Sequence, residues 1–207
     1  MKTIKSYLCV LFFLLPVVAS AQEFAPVVQG VNNAKDVPGL IQVRSQLERF
    51  MVAQPGQWLA DYYLAYVDVQ LSFRVASKDE KSQYLTEAET CLNKLSGLKE
   101  TDKSELYTLK GFRLYALIAS NPQANGPKYS GEIVGAYETA LGINPNNPRA
   151  LILSALFKND LAKFMHQPYA NFQKDVDNAA TLFAAKNTGL LTPTWGKYWV
   201  DFALTKK

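Results

Sequence analysis

One histidine and two cysteines in 207 residues leave little material for a reaction centre. His166 is the single imidazole, so any base or metal ligand of that type rests on it alone. A zinc site usually draws about three or four ligands from cysteine, histidine and acids. Pairing His166 with Cys91 as a nucleophile is also unfavourable, because Cys91 falls on the apolar face of a helical pattern, where a thiol behaves as a small hydrophobe. The reading for His166 is a loop or helix-end residue. The chain has no Gly-x-Ser-x-Gly elbow, no phosphate-cradling glycine loop ending in Lys-Ser/Thr, and no dinucleotide glycine fingerprint. Asp175 and Asp177 alone do not make a calcium loop. The close carboxylate pairs, Glu87 with Glu89 and Asp79 with Glu80, stand beside lysines in amphipathic helices, where a solvated face explains them. The expectation is therefore no catalytic residue, no metal and no cofactor.

Aromatic residues offer more. Tyr62, Tyr63 and Tyr66 cluster at helical spacing and are able to stack on a ligand or on a partner peptide, although core packing is the ordinary use of such a cluster. Basic residues are interspersed with acids and form no concentrated stripe, which argues against nucleic acid and against an anionic membrane surface.

These side chains belong to an exported product. Lys2 and Lys5 precede an apolar run from Leu8 to Val18, and Ala19-Ser20-Ala21 supplies small residues for cleavage, which predicts a signal peptide over residues 1–21 and a mature start at Gln22. Cys9 stands near the start of the apolar run, whereas a lipid-acceptor cysteine follows it. The formal net charge of +4 includes the two signal lysines, so the mature chain carries +2. Cys91 is left alone, so no intramolecular disulfide is possible and stability must come from packing. A mature chain of this size is one ordinary domain, able to bury roughly 70% of its unfolded surface. No later segment is long and uncharged enough to span a bilayer. The expected location is periplasmic or secreted.

The pattern along the mature chain is helical throughout. Residues 22–36, with Pro26, Gly30, Asn32 and Asn33, read as an irregular leader. Leu40, Val43, Leu47, Phe50 and Met51 then give one helical face, predicting a helix over 37–52 that ends at Gln54-Pro55-Gly56. Residues 58–75 are apolar on more than one side, as in a helix sandwiched between neighbours. Ser77 with Glu80 and Asp102 with Glu105 are capping arrangements for helices reaching about Leu95 and Ile118. The segment 121–131 is rich in Pro, Gly, Asn and Ser and reads as the longest internal loop. A helix from Gly131 follows; Asn147-Pro148 caps the next, with its apolar run reaching about Phe157. Further helices are expected over about 169–185 and, after Thr192-Pro193, over 194–204. That gives about eight helices and no strand.

Trp58, Glu105 and Leu151 recur early in alternate helices, and Leu92, Tyr137 and Phe183 late in the helices between them, at separations of about 46 residues, which implies hairpins repeated along the chain. Tyr137, Ala140 and Pro145 reproduce the aromatic, alanine and proline that close a tetratricopeptide repeat, and Pro55-Gly56-Gln57-Trp58 with Tyr62, Tyr63 and Ala65 is similar to the opening of such a repeat. The units exceed the family's roughly 34 residues. The stretches 144–150 and 193–196 also look like those of small exported tetratricopeptide-like proteins of Bacteroidota type. This resemblance implies an all-α fold, a right-handed α-α superhelix of antiparallel hairpins over residues 37–207. Arrays of that kind bind extended segments in the groove formed by the first helix of each hairpin. On that analogy Tyr63, Tyr66, Lys110, Arg113 and Arg149 are candidate partner-binding residues. The function implied is a non-enzymatic adaptor for a protein or peptide in the cell envelope. The alternatives are a small-molecule carrier with a pocket between hairpins and a carboxylate-based envelope enzyme.

Overall fold

In a computed structural model the described residues are 23–185 and 192–205, and all regular structure among them is α-helical. The predicted signal peptide lies outside the described residues.

Helix α1 covers residues 23–33, so the segment expected to be an irregular leader is instead a packed helix. Its turn formers misled: Pro26 stands near the start, where backbone N–H groups have no intrahelical acceptor and proline costs little. Phe24, Val28 and Val31, at helical spacing, are buried in the core. Phe24 packs on Phe50 and on Tyr63, with ring centroids 4.7 and 6.0 Å apart. The helix count consequently rises to nine among the described residues.

Three hairpins then repeat: α3 (Trp58–Arg74) with α4 (Lys78–Gly97), α5 (Lys103–Ser120) with α6 (Pro122–Ile143), and α7 (Pro148–Phe164) with α8 (Phe172–Ala185). Their first helices begin 45 residues apart, matching the period legible in the sequence. Helix α2 (Val37–Ala53) covers α3, and α9 (Lys197–Thr205) closes the far end against α7 and α8. The first helices α3, α5 and α7 pack in series on one another, each backed by its own second helix. This explains why α3 is buried on every side: it is enclosed by α2, α4 and α5.

Caps mark the helix starts. Asp36, Ser77, Asp102 and Asn147 each accept a hydrogen bond from a backbone N–H in the first turn of α2, α4, α5 and α7. Such a cap contributes about 1 kcal/mol. Glu105 does not complete a box with Asp102; its carboxylate turns into the core.

Four boundaries depart from expectation. Residues 121–131 are not a loop but the opening turns of α6. Asn121 alone reverses the chain, capping α6 by accepting from the Ala124 N–H, while Pro122 occupies the first turn and Asn125 Nδ2 donates to the Leu117 carbonyl at 2.7 Å. These local bonds outweigh the weak helix propensity of the glycines, which face open space at positions 126, 131 and 135. At the other end, residues 194–196 are not helical and α9 starts only at Lys197. Gly196 has φ +111°, and a Cβ there would stand 2.7 Å from Arg149 Cγ, so the backbone breaks where it crosses the arginine. Likewise α7 continues past Phe157 to Phe164, and α8 begins at Phe172 rather than Tyr169.

Candidate functional site

The interior of the hairpin stack is polar at one place. Arg149 at the start of α7 donates from Nε and Nη2 to both carboxylate oxygens of Glu105 on α5, at 2.9 and 2.6 Å, and from Nη1 to the Trp195 carbonyl at 3.1 Å. Tyr62 on α3 donates its hydroxyl to Glu105 at 2.9 Å and accepts from the indole N–H of Trp195 at 3.0 Å. The four residues form a closed ring. Arg149 and Glu105 are only 1% and 2% exposed. Burial alone would pull the guanidinium down, but hydrogen bonding and charge from Glu105 hold it above its ordinary value. Burial, reinforced by Glu105, also raises the Tyr62 phenol, so Tyr62 stays a donor.

This placement corrects part of the sequence-derived groove. Arg149 and Tyr63 are interior residues that present nothing to a partner: the Tyr63 hydroxyl is held by the Thr194 backbone N–H and hydroxyl at 2.8 and 3.0 Å. Sequence type alone could not show that Glu105, 44 positions earlier, neutralises the arginine. Arg113 is half-buried, donating to the Leu85 carbonyl and to Glu89, and Lys110 lies over the Tyr107 ring. Burial lowers both cations. These five residues therefore do not converge on one surface.

The two buried acids of α3 are likewise held by cations. Asp61 accepts from Lys94, and Asp68 from Arg44, which also binds Glu87 and Glu48. Cys91 is a free, partly buried thiol pushed up to about 12 by burial, and the exposed His166 follows α7 at φ 55°. Among the described residues no group of three potential metal ligands gathers.

Tyr66 is the candidate that lines a cleft. A cleft of about 840 Å³ lies between the end of α1, α3 and the segment leading into α9. Its back is aromatic: Tyr66 stacks on Trp195 at 4.4 Å between centroids, Trp195 continues to Phe112 at 5.9 Å, and Phe73 and Trp199 line the space beside them. Its rim is cationic. Lys35 and Arg74 are exposed, and neither has a carboxylate within 4.0 Å among the described residues; Lys197 reaches Asp201 only at 3.7 Å, in solvent. Asn32 on α1 donates to the Thr194 hydroxyl at 2.8 Å, fixing the two lips of the cleft to each other. The lining includes phenols and indoles but no histidine, cysteine or methionine. Such a site can hold a flat aromatic body by stacking and an anionic edge by ion pairing. Sequence reasoning missed the cleft because its walls are about 130 residues apart; the only local sign was the Pro-Thr-Trp-Gly stretch at 193–196.

No family model and no curated protein sequence matches the chain. Among solved structures the chain is similar to the HusA haemophore from Porphyromonas gingivalis, at 24% identity over 90% of this chain and 91% of that one, with a TM-score of 0.78. That likeness establishes the fold as an all-helical architecture shared over nearly the whole length. No helix among the described residues is long and apolar enough to cross a membrane.

Proposed function

We propose that the protein is an exported, non-enzymatic carrier of a planar anionic tetrapyrrole of the haem class, held in the cleft between α1, α3 and α9. The observation that carries this reading is the match between the cleft's two chemistries and those of the ligand. Haem is a flat aromatic macrocycle with two carboxylates on one edge. The cleft offers the Tyr66–Trp195 stack and Phe73 to the macrocycle, and Lys35, Arg74 and Lys197 to the carboxylates. Its volume falls within the range of about 300–1,000 Å³ usual for small-ligand sites. The shared fold with a haemophore supports the same reading. With no imidazole, thiolate or thioether in the lining, stacking and ion pairing would supply the affinity, and the phenols of Tyr66 and Tyr198 are the lining groups of a type that can bind iron.

This carrier takes precedence over the peptide-binding adaptor, because Tyr63 and Arg149 lie in the interior and cannot contact a peptide. On this reading residues 1–21 direct export and the hairpin stack is a divergent relative of tetratricopeptide arrays. Titration of the protein with haem, followed by the Soret band, tests it. Saturable one-to-one binding is expected, and Lys35→Glu with Arg74→Glu should raise Kd at least about tenfold, equivalent to ~1.4 kcal/mol. An unchanged Kd in that double variant would remove the cleft from the account.

A further inference from the structure

A second groove lies next to the cleft, behind the Phe73–Tyr115 ring contact at 6.0 Å between centroids, and is chemically divided. One half, about 650 Å³, sits between the ends of α5 and α7 and the opening turns of α6, and its wall is apolar: Ile118, Pro127, Phe157, Leu161, Phe164 and Met165. Phe164 is 83% exposed and Met165 is also open to solvent, an unusual cost for large apolar side chains unless something covers them. The other half, about 500 Å³, is mixed and lies beside the start of α4, with Lys78, Lys81, Ser82, Ser120 and Asn125 in its wall alongside Leu85 and Leu117. Pro122 and Gln123 line both halves, so the two meet across the first turn of α6.

The distribution of charge sets what fits. Lys78, Lys81, Ser82 and Leu85 recur at three- and four-residue spacing and share one face of α4, which turns the two lysines toward the groove. Neither lysine has a carboxylate within 4.0 Å among the described residues; both stand in the first turn of α4, which also holds Asp79 and Glu80, but of these four only the lysines line the groove. The single acid in the apolar half, Asp160, accepts from the Tyr115 hydroxyl at 3.4 Å and repels an anionic group placed there. A ligand must therefore lay an apolar body against Phe164 and Leu161 and point an anionic head at Lys78 and Lys81.

We infer that this groove is a second ligand site, separate from the tetrapyrrole cleft, for a single-chain acyl amphiphile with an anionic head, of the fatty-acid class. The tail replaces water over Phe164 and Met165, and the carboxylate bridges the lysines. Calorimetric titration with dodecanoate, and with dodecanol as the uncharged control, tests this on the mature protein. One dodecanoate per chain is expected. Phe164→Glu, at an exposed position that leaves the core untouched, should weaken both ligands at least about tenfold. Lys78→Glu with Lys81→Glu should weaken dodecanoate at least about tenfold while changing dodecanol less than about threefold. Haem affinity should be unaltered in all these variants. The inference is overturned by the absence of saturable dodecanoate binding, by equal effects of the lysine changes on both ligands, by competition between dodecanoate and haem, or by light scattering that finds a dimer which Phe164→Glu dissociates.

Discussion

Arg149 carries the clearest lesson at the scale of single residues. A cation at the start of a helix reads from sequence as a surface group, yet here the 45-residue repeat lays α7 against α5 and brings Glu105 onto its guanidinium. Arg149→Ala should cost about 3–5 kcal/mol in urea denaturation, because it leaves the Glu105 carboxylate buried without its cation. Replacing both, Glu105→Leu with Arg149→Met, should recover most of that loss, since the desolvation of two charges is then also avoided. A second buried acid behaves differently. Asp68 accepts from Arg44, but its Oδ2 is buried without a hydrogen-bond partner. Burial, with Glu87 and Glu48 nearby, pushes its carboxyl from 3.8 up to about 7 despite Arg44. The folded state thus holds a proton that the unfolded chain has released. The stability this contributes is complete below pH 3.8 and is lost as pH rises to about 7. Denaturation midpoints of the wild-type protein should fall across that window relative to Asp68→Asn, and parallel pH curves would contradict the assignment.

Elements were legible where apolar spacing and caps agree. Ser77, Asp102 and Asn147 mark helix starts in the sequence and cap them in the structure, and Tyr137 with Ala140 marks a close helix contact. The structure adds what sits opposite: a Cβ on Gly111 of α5 would stand 2.6 Å from the Tyr137 ring, so the aromatic fills the notch that this glycine leaves. Composition misled where turn formers are used inside helices, at α1 and at the opening of α6. Propensity is a weak guide there because one cap and a few side-chain bonds decide the outcome. Pro127 makes this testable. Lying inside α6, it cannot donate to the carbonyl one turn earlier. Pro127→Ala should therefore raise stability by about 1–3 kcal/mol in thermal or urea unfolding. A loop at 121–131 would gain nothing, or lose stability through a more flexible unfolded chain.

At the scale of the molecule, the repeat gives the stack and the C-terminal segment gives the cleft. Trp195 spans both, donating to Tyr62 in the interior ring while stacking on Tyr66 at the cleft wall. This couples folding of the last helix to formation of the ligand site, and it is why the site is invisible in any local window of sequence. The claim with the widest consequences is that a tetrapyrrole lies against that wall. Amide chemical shifts of the isotopically labelled protein, recorded with diamagnetic gallium protoporphyrin, locate it directly. The largest changes are expected at Tyr66, Phe73, Trp195 and Trp199; changes gathered instead around Tyr115, Phe157 and Phe164 would contradict the account.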